Sequence, residues 1–227
     1  MTVLFTYCSK NETPPINPAV PGNPVTDTAT RAEKKYLALG DSYTIGEGVQ
    51  VRERYPSQLV TQLRQSNVRV ADPLFVARTG WTTTDLDKAI IDQNITGTYD
   101  LVTLLIGVND QFQRRDTTGY RSRFRALLQK SILFAADNPA RVFVLSIPDY
   151  SVTPYGGGSA TISQQIEQFN KITKEVTVSY NVTYIDITGL SKEMGTDPTL
   201  VADGLHPSGK EYTRWTALLF TAVKRAL

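Results

Sequence analysis

The chain has one cysteine and one histidine among 227 residues. A lone cysteine excludes an internal disulfide framework, and the two residues together cannot make up the ligand set of a zinc site, so no metal is expected. No apolar run approaches the roughly 18 residues that a transmembrane helix needs. Charge of a dominant sign is also missing, since 24 Lys and Arg stand against 22 Asp and Glu for a net charge of +2. The one basic concentration is Arg114, Arg115, Arg121, Arg123 and Arg125. It has no interleaved aromatics on which bases could stack, so it reads as the solvated flank of a helix and no nucleic-acid partner is expected. Three consecutive glycines, Gly156 to Gly158, lack the spacing and helix context of a phosphate-binding loop. There is no internal repeat. What is present is a hydrophobic share of 41%, enough at this length for one sizeable core and one domain.

Residues 1–33 differ in kind from the rest. Met1 to Tyr7 is mildly apolar, Cys8 follows, and Ser9 to about Arg31 is polar with Pro14, Pro15, Pro18, Pro21 and Pro24. That is linker composition. An apolar run, one cysteine and a polar tether resemble the cleavage region of a bacterial lipoprotein. Seven residues are too few for a signal peptide, and no basic residue precedes the apolar run. Either the native start lies upstream and Cys8 carries a lipid anchor, or Cys8 is an ordinary thiol. The first alternative makes the protein exported, periplasmic or tethered to the membrane as a lipoprotein; the second leaves it cytoplasmic.

From Lys34 to the end, strand-like and helix-like segments alternate. Tyr36 to Leu39 is an apolar run stopped by Gly40-Asp41-Ser42, which reads as a buried strand entering a tight turn. Tyr55 to Gln65 has helical spacing, a second strand falls within Val68 to Ala77, and Thr82 to Asp85 has the form of a capping box for a helix reaching about Asp92. Tyr99 to Ile106 is a continuous apolar strand suited to a sheet covered on both faces. A helix with Tyr120, Phe124, Leu127, Leu128 and Ser131 on one side precedes a fourth strand, Val142 to Ile147. The stripe Ile162, Ile166, Phe169, Val176, Tyr180 marks another helix, and Val182 to Ile187 is a fifth strand stopped by Gly189. A last helix starts near Ser208, with Ser208 and Glu211 as a capping box and Tyr212, Trp215, Leu219, Ala222 and Ala226 facing inward. This alternation predicts an α/β fold: a flavodoxin-like three-layer α/β/α domain over residues 34–227 with a five-stranded parallel sheet.

In such a sheet, ligands sit beyond the carboxyl ends of the strands. Gly40-Asp41-Ser42, Gly80 and Gly107-Val108-Asn109-Asp110 follow the first three strands, and Asp203-Gly204-Leu205-His206 precedes the last helix. Acyl transfer explains each residue type. Ser42 is a poor nucleophile until a base takes its proton, and His206 is the only imidazole that can. Asp203, across a turn of three residues, can reach the distal ring nitrogen, fix its tautomer and stabilise the imidazolium. A tetrahedral oxyanion needs aimed donors, which the N–H groups of Ser42 and Gly80 and the amide of Asn109 would supply.

Gly40-Asp41-Ser42, Gly107-x-Asn109-Asp110 and Asp203-x-x-His206, in this order, resemble the GDSL or SGNH hydrolases, a family of GDSL-like lipases and acylhydrolases, and the resemblance spans Lys34 to the end. It implies Ser42 as nucleophile, Asp203 and His206 as the rest of a triad, Gly80 and Asn109 in the oxyanion hole, and ester or thioester hydrolysis without a cofactor. Tyr43 replaces the family's usual leucine, which makes it a candidate for the pocket wall. Trp81, beside Gly80, is a candidate to stack on a sugar or acyl group, and Tyr150 in the long loop Ile147 to Ser159 is a third substrate-binding candidate. The sequence has no G-x-S-x-G, so it is unlike the nucleophile elbow of α/β-hydrolases. The expectation is a serine hydrolase of small acyl esters, first of carbohydrate O-acyl or acetyl groups. A lysophospholipase or thioesterase of the same family is the enzyme alternative, and a doubly wound glycan- or flavin-binding module with a vestigial triad is the other. Oligomeric state is not legible.

Overall fold

The computed structural model describes residues 1, 32–114 and 116–227. The proline-rich segment and the Cys8 anchor site therefore lie outside the described residues, as does Arg115. Residues 32–227 form one compact unit.

Five parallel strands lie in the order β2-β1-β3-β4-β5, with β1 Tyr36–Gly40, β2 Leu74–Ala77, β3 Leu101–Leu105, β4 Val142–Leu145 and β5 Thr183–Ile185. Register is fixed on both sides of β1, where Leu37 pairs with Leu74 and with Val102. Every residue of β1, β3 and β4 is buried. Continuous apolar runs of this kind are what a doubly covered sheet needs, since each buried Leu or Val contributes about 1.5–3 kcal/mol. Two helices, α2 (Tyr55–Gln65) and α8 (Gly209–Ala226), pack on each other, while α3 (Thr83–Asp92), α5 (Thr117–Phe134) and α6 (Ala160–Ser179) form the other layer. The chain leaves β1 towards β2 and then returns past it to β3, so right-handed crossovers put α2 and α3 on opposite faces. The point of reversal lies between β1 and β3, where such sheets bind ligands.

Buried tyrosines tie the layers together. Tyr36 and Tyr55 share the Thr103 hydroxyl at 2.9 and 3.3 Å, Tyr120 pairs with Thr173 at 2.7 Å, and Tyr212 donates to the Tyr43 carbonyl at 3.0 Å.

Several local expectations need correction. The tight turn after β1 is a one-turn helix, α1 (Ser42–Ile45), which Ser42 opens and the Asp41 carboxyl caps by accepting the Tyr43 N–H. Asn109 likewise lies within a short helix, α4 (Val108–Phe112). The fifth strand ends at Ile185, and Gly189 does not stop it but lies within α7 (Thr188–Lys192). Asp186 bonds the Thr188 N–H at 3.0 Å and bends the chain out of the sheet earlier. Ser208 caps α8, but Glu211 does not return the bond; its buried carboxylate accepts from Trp215 Nε1 at 2.7 Å and from Arg214 at 2.9 Å. Ala222 and Ala226 are only partly buried, and Val223 takes the fully buried position. The arginine flank is not wholly solvated either, since Arg123 reaches the buried Asp110 at 3.2 Å and Arg121 pairs with Glu175 at 2.6 Å.

Candidate active site

Gly40 ends β1 because nothing larger fits: a Cβ there would lie 2.1 Å from Thr44 Oγ1 and 2.4 Å from the Leu105 carbonyl. The chain then turns directly into Ser42, whose N–H, as the first of a helix, has no helical carbonyl to reach. Gly107 follows β3 at φ 128°, where a Cβ would lie 2.6 Å from the Tyr120 hydroxyl, and aims Asn109 along the same edge. Asn109 Nδ2 donates to the Trp81 carbonyl at 3.0 Å, which links the turns after β2 and β3 and leaves the second amide hydrogen for a ligand.

The fourth segment is held from within. Asp203 Oδ1 accepts the N–H groups of Leu205 at 3.0 Å and His206 at 2.7 Å, and Oδ2 lies 2.8 Å from His206 Nδ1. Burial pushes the Asp203 carboxyl up, but those N–H groups and the imidazole outweigh it and hold the group below its usual range. With Nδ1 taken, Nε2 is the ring nitrogen left to serve a substrate. The Tyr43 ring backs the imidazole at 5.4 Å between centroids and is itself buried against Trp215 at 6.4 Å.

Ser42, Tyr43, Gly80, Asn109, Tyr150 and His206 all line one cavity of about 170 Å³. Ser42 is only 4% exposed and His206 7%, so this opening is their route to solvent. Asp203 stands behind the imidazole. Trp81 does not line the cavity; its carbonyl holds Asn109, and its side chain is half-buried against the core. The lining also includes residues that the sequence does not offer as binding candidates, among them Phe112, 52% exposed, and Tyr155, 59% exposed, whose rings are 6.3 Å apart at 48°. Phe112 is one helical turn after Asn109 and would have been found had α4 been recognised. Tyr155 is fixed by its N–H, which donates to the Gly204 carbonyl at 3.0 Å and so joins the long loop to the Asp203–His206 turn. Among the described residues no cluster of His, Cys, Asp and Glu could hold a metal ion, and no helix is long and apolar enough to cross a membrane.

The model of the GDSL-like lipase/acylhydrolase family matches residues 38–214. None of the curated proteins matches the chain. Among solved structures, that of TesA is similar with a TM-score of 0.69 and 18% identity, over 86% of this chain and 100% of that one. The acetyl xylan esterase AlAXEase gives 0.68 at 18% identity, over 83% and 99%. The lipase/acylhydrolase from Enterococcus faecalis gives 0.64 at 24%, over 85% and 96%. At such identities the structures speak for the fold, while the family match covers most of the chain and includes all four segments of the site. The chain belongs to the GDSL-like lipase/acylhydrolase family and is a carboxylic ester hydrolase.

Proposed function

We propose that Ser42, His206 and Asp203 form a catalytic triad that hydrolyses small acyl esters of carbohydrates through a covalent acyl-enzyme. The observation that carries this reading is the 2.8 Å pairing of Asp203 with His206 Nδ1, beside a cavity that the imidazole shares with Ser42, Gly80 and Asn109. Ser42 Oγ attacks the acyl carbon while His206 Nε2 takes its proton, and Asp203 stabilises the imidazolium. The N–H groups of Ser42 and Gly80 and the Asn109 amide receive the oxyanion. The alcohol leaves with the proton from His206, and water, deprotonated by the same ring, attacks the ester on Ser42 and releases the acid.

The substrate reading rests on size and surface. A cavity of about 170 Å³ is close to the roughly 150 Å³ that encloses a benzene molecule, which suits a short acyl group. The exposed faces of Phe112 and Tyr155 suit a sugar ring at the rim. The acetyl xylan esterase among the similar structures points the same way. Val108, Phe112 and Leu205 in the wall favour a second reading, in which a longer acyl chain of a lysophospholipid or thioester lies there. A fluorophosphonate should label Ser42, and label on another serine would overturn the triad. A series of p-nitrophenyl esters from acetyl to decanoyl, run beside acetylated xylo-oligosaccharides, separates the substrates: a preference for decanoyl over acetyl would replace the carbohydrate reading with the lipid one.

A further inference from the structure

Asp41 is wholly buried one residue before Ser42. Its Oδ1 accepts the Tyr43 N–H at 3.0 Å. Among the described residues its Oδ2 meets no partner. The titratable groups that face it are Tyr43 of α1, Tyr55 of α2, Asp110 of α4, Tyr120 of α5 and Tyr212 of α8. None is a cation, and the Arg123 guanidinium pairs with Asp110 instead. An ionised carboxylate in such a place has one good donor, no counter-ion among the described residues and a second carboxylate for company, so its charged form is strongly disfavoured.

We propose that Asp41 works as a neutral carboxylic acid, a positioning residue whose carbonyl oxygen pins the turn that presents Ser42 and whose ionisation shuts down turnover. In the neutral form it places no charge beside Ser42. Once ionised, it sets a negative charge in the same dry turn where the oxyanion must form, and repulsion there lowers kcat by roughly 10- to 100-fold. Burial pushes the group up to about 8; the Tyr43 N–H opposes this, and the Asp110 charge adds to it. The alkaline loss of activity therefore centres near pH 8. The inference rests on Ser42 as nucleophile for its effect on rate, but not for the state of the carboxyl.

Two measurements keep those apart. In the wild-type chain labelled with ¹³C at aspartate carboxyl carbons, one resonance should titrate near pH 8; if every aspartate titrates below about 6, the proposal is wrong whatever the nucleophile. Stability supplies the same reading without spectroscopy. A carboxyl raised in the folded state keeps its proton after the unfolded chain has lost it, so its contribution is whole below about pH 4 and is lost as pH rises through about 8. The Tm of Asp41→Asn relative to wild type should therefore climb across that window and then level. For catalysis, kcat on p-nitrophenyl acetate should fall above pH 8 in wild type. Asp41→Asn, whose amide oxygen can still accept the Tyr43 N–H, should keep most of the turnover at pH 7 and lose the alkaline limb, whereas Asp41→Ala should be slow at both. An alkaline limb that persists in Asp41→Asn, or a folded Asp41→Asn as slow at pH 7 as Asp41→Ala, would overturn the proposal.

Discussion

The turns after β1 and β3 are built on one plan and anchored differently. Each follows a buried strand through a glycine, Gly40 or Gly107, that no larger residue could replace without a clash. Each then enters a short helix that brings one polar side chain to the cavity, Ser42 or Asn109, with a fully buried aspartate next to it. Asp110 is saturated: Thr83 N–H at 2.8 Å, Thr83 Oγ1 at 2.7 Å and Arg123 at 3.2 Å all donate to it. Asp41 has the Tyr43 N–H and, more weakly, its own backbone N–H, with no counter-ion among the described residues. A carboxylate with three donors, one of them a counter-ion, can carry its charge as a structural pin. One with only backbone donors and no counter-ion is held by packing and stays sensitive to pH. Two aspartates in matching places thus serve one as scaffold and one as a part of the chemistry's surroundings.

The sharpest way to break the parallel is to remove the polar group that each turn delivers. Ser42→Ala should lower kcat by on the order of 10⁴-fold or more, because no covalent intermediate can form. Its Tm should barely move. Turnover of p-nitrophenyl acetate within tenfold of wild type would end the assignment of Ser42. Asn109→Ala should follow with a loss of about 10²–10³-fold, roughly 2.7–4 kcal/mol of transition-state stabilisation, carried by kcat with KM nearly unchanged. A rise in KM with kcat intact would move Asn109 from the oxyanion to ground-state binding.

These two turns also mark how far the sequence could be read. Gly-Asp-Ser and Gly-x-Asn-Asp are legible because a strand, a breaker and a reactive side chain follow each other within a few residues, and Asp203 to His206 because the pairing is local. The sheet was legible for the same reason, through the apolar runs of β1, β3 and β4. Short helices were not: α1 and α4 span four and five residues, too few for a hydrophobic period to register. Long-range pairings were not legible either. Nothing near Arg123 in sequence says that it passes over the helix flank to Asp110, 13 residues away, and engages Thr83 on a third element at 3.0 Å. Nor does composition distinguish a saturated buried aspartate from an under-bonded one.

The scaffold half of the comparison predicts a stability effect. Asp110→Ala takes the counter-ion from Arg123 and strands the Thr83 N–H, and should destabilise the fold by about 2–3 kcal/mol. This is below the figure for a fully buried pair because the Arg123 side chain is 28% exposed. The loss should appear in chemical denaturation as a lower midpoint with the slope unchanged. A variant as stable as wild type at pH 7 would mean that Asp110 is not the pin.

The smallest effects should come from the aromatics that flank the two polar groups, because one turn points its ring inward and the other outward. Tyr43 is 2% exposed and its hydroxyl has no partner among the described residues, whereas Phe112 is 52% exposed at the mouth of the cavity. Tyr43→Phe removes an unsatisfied buried hydroxyl and keeps the ring that backs His206, so kcat should stay within about twofold and stability should hold or rise by up to about 1 kcal/mol. Phe112→Ala removes a face that only a bound substrate would cover. The expected loss is about 1 kcal/mol, a roughly fivefold rise in KM for an acetylated xylo-oligosaccharide, with p-nitrophenyl acetate nearly unaffected because it is too small to reach both the serine and the rim. Tyr155→Ala should behave alike, and the double variant should lose less than the sum, since the two rings form one surface. If Phe112→Ala instead raised KM most for octanoyl and decanoyl esters, the rim would be the wall of an acyl groove. The outward-facing ring would then be reading the acid rather than the alcohol, and the carbohydrate reading would give way to the lipid one.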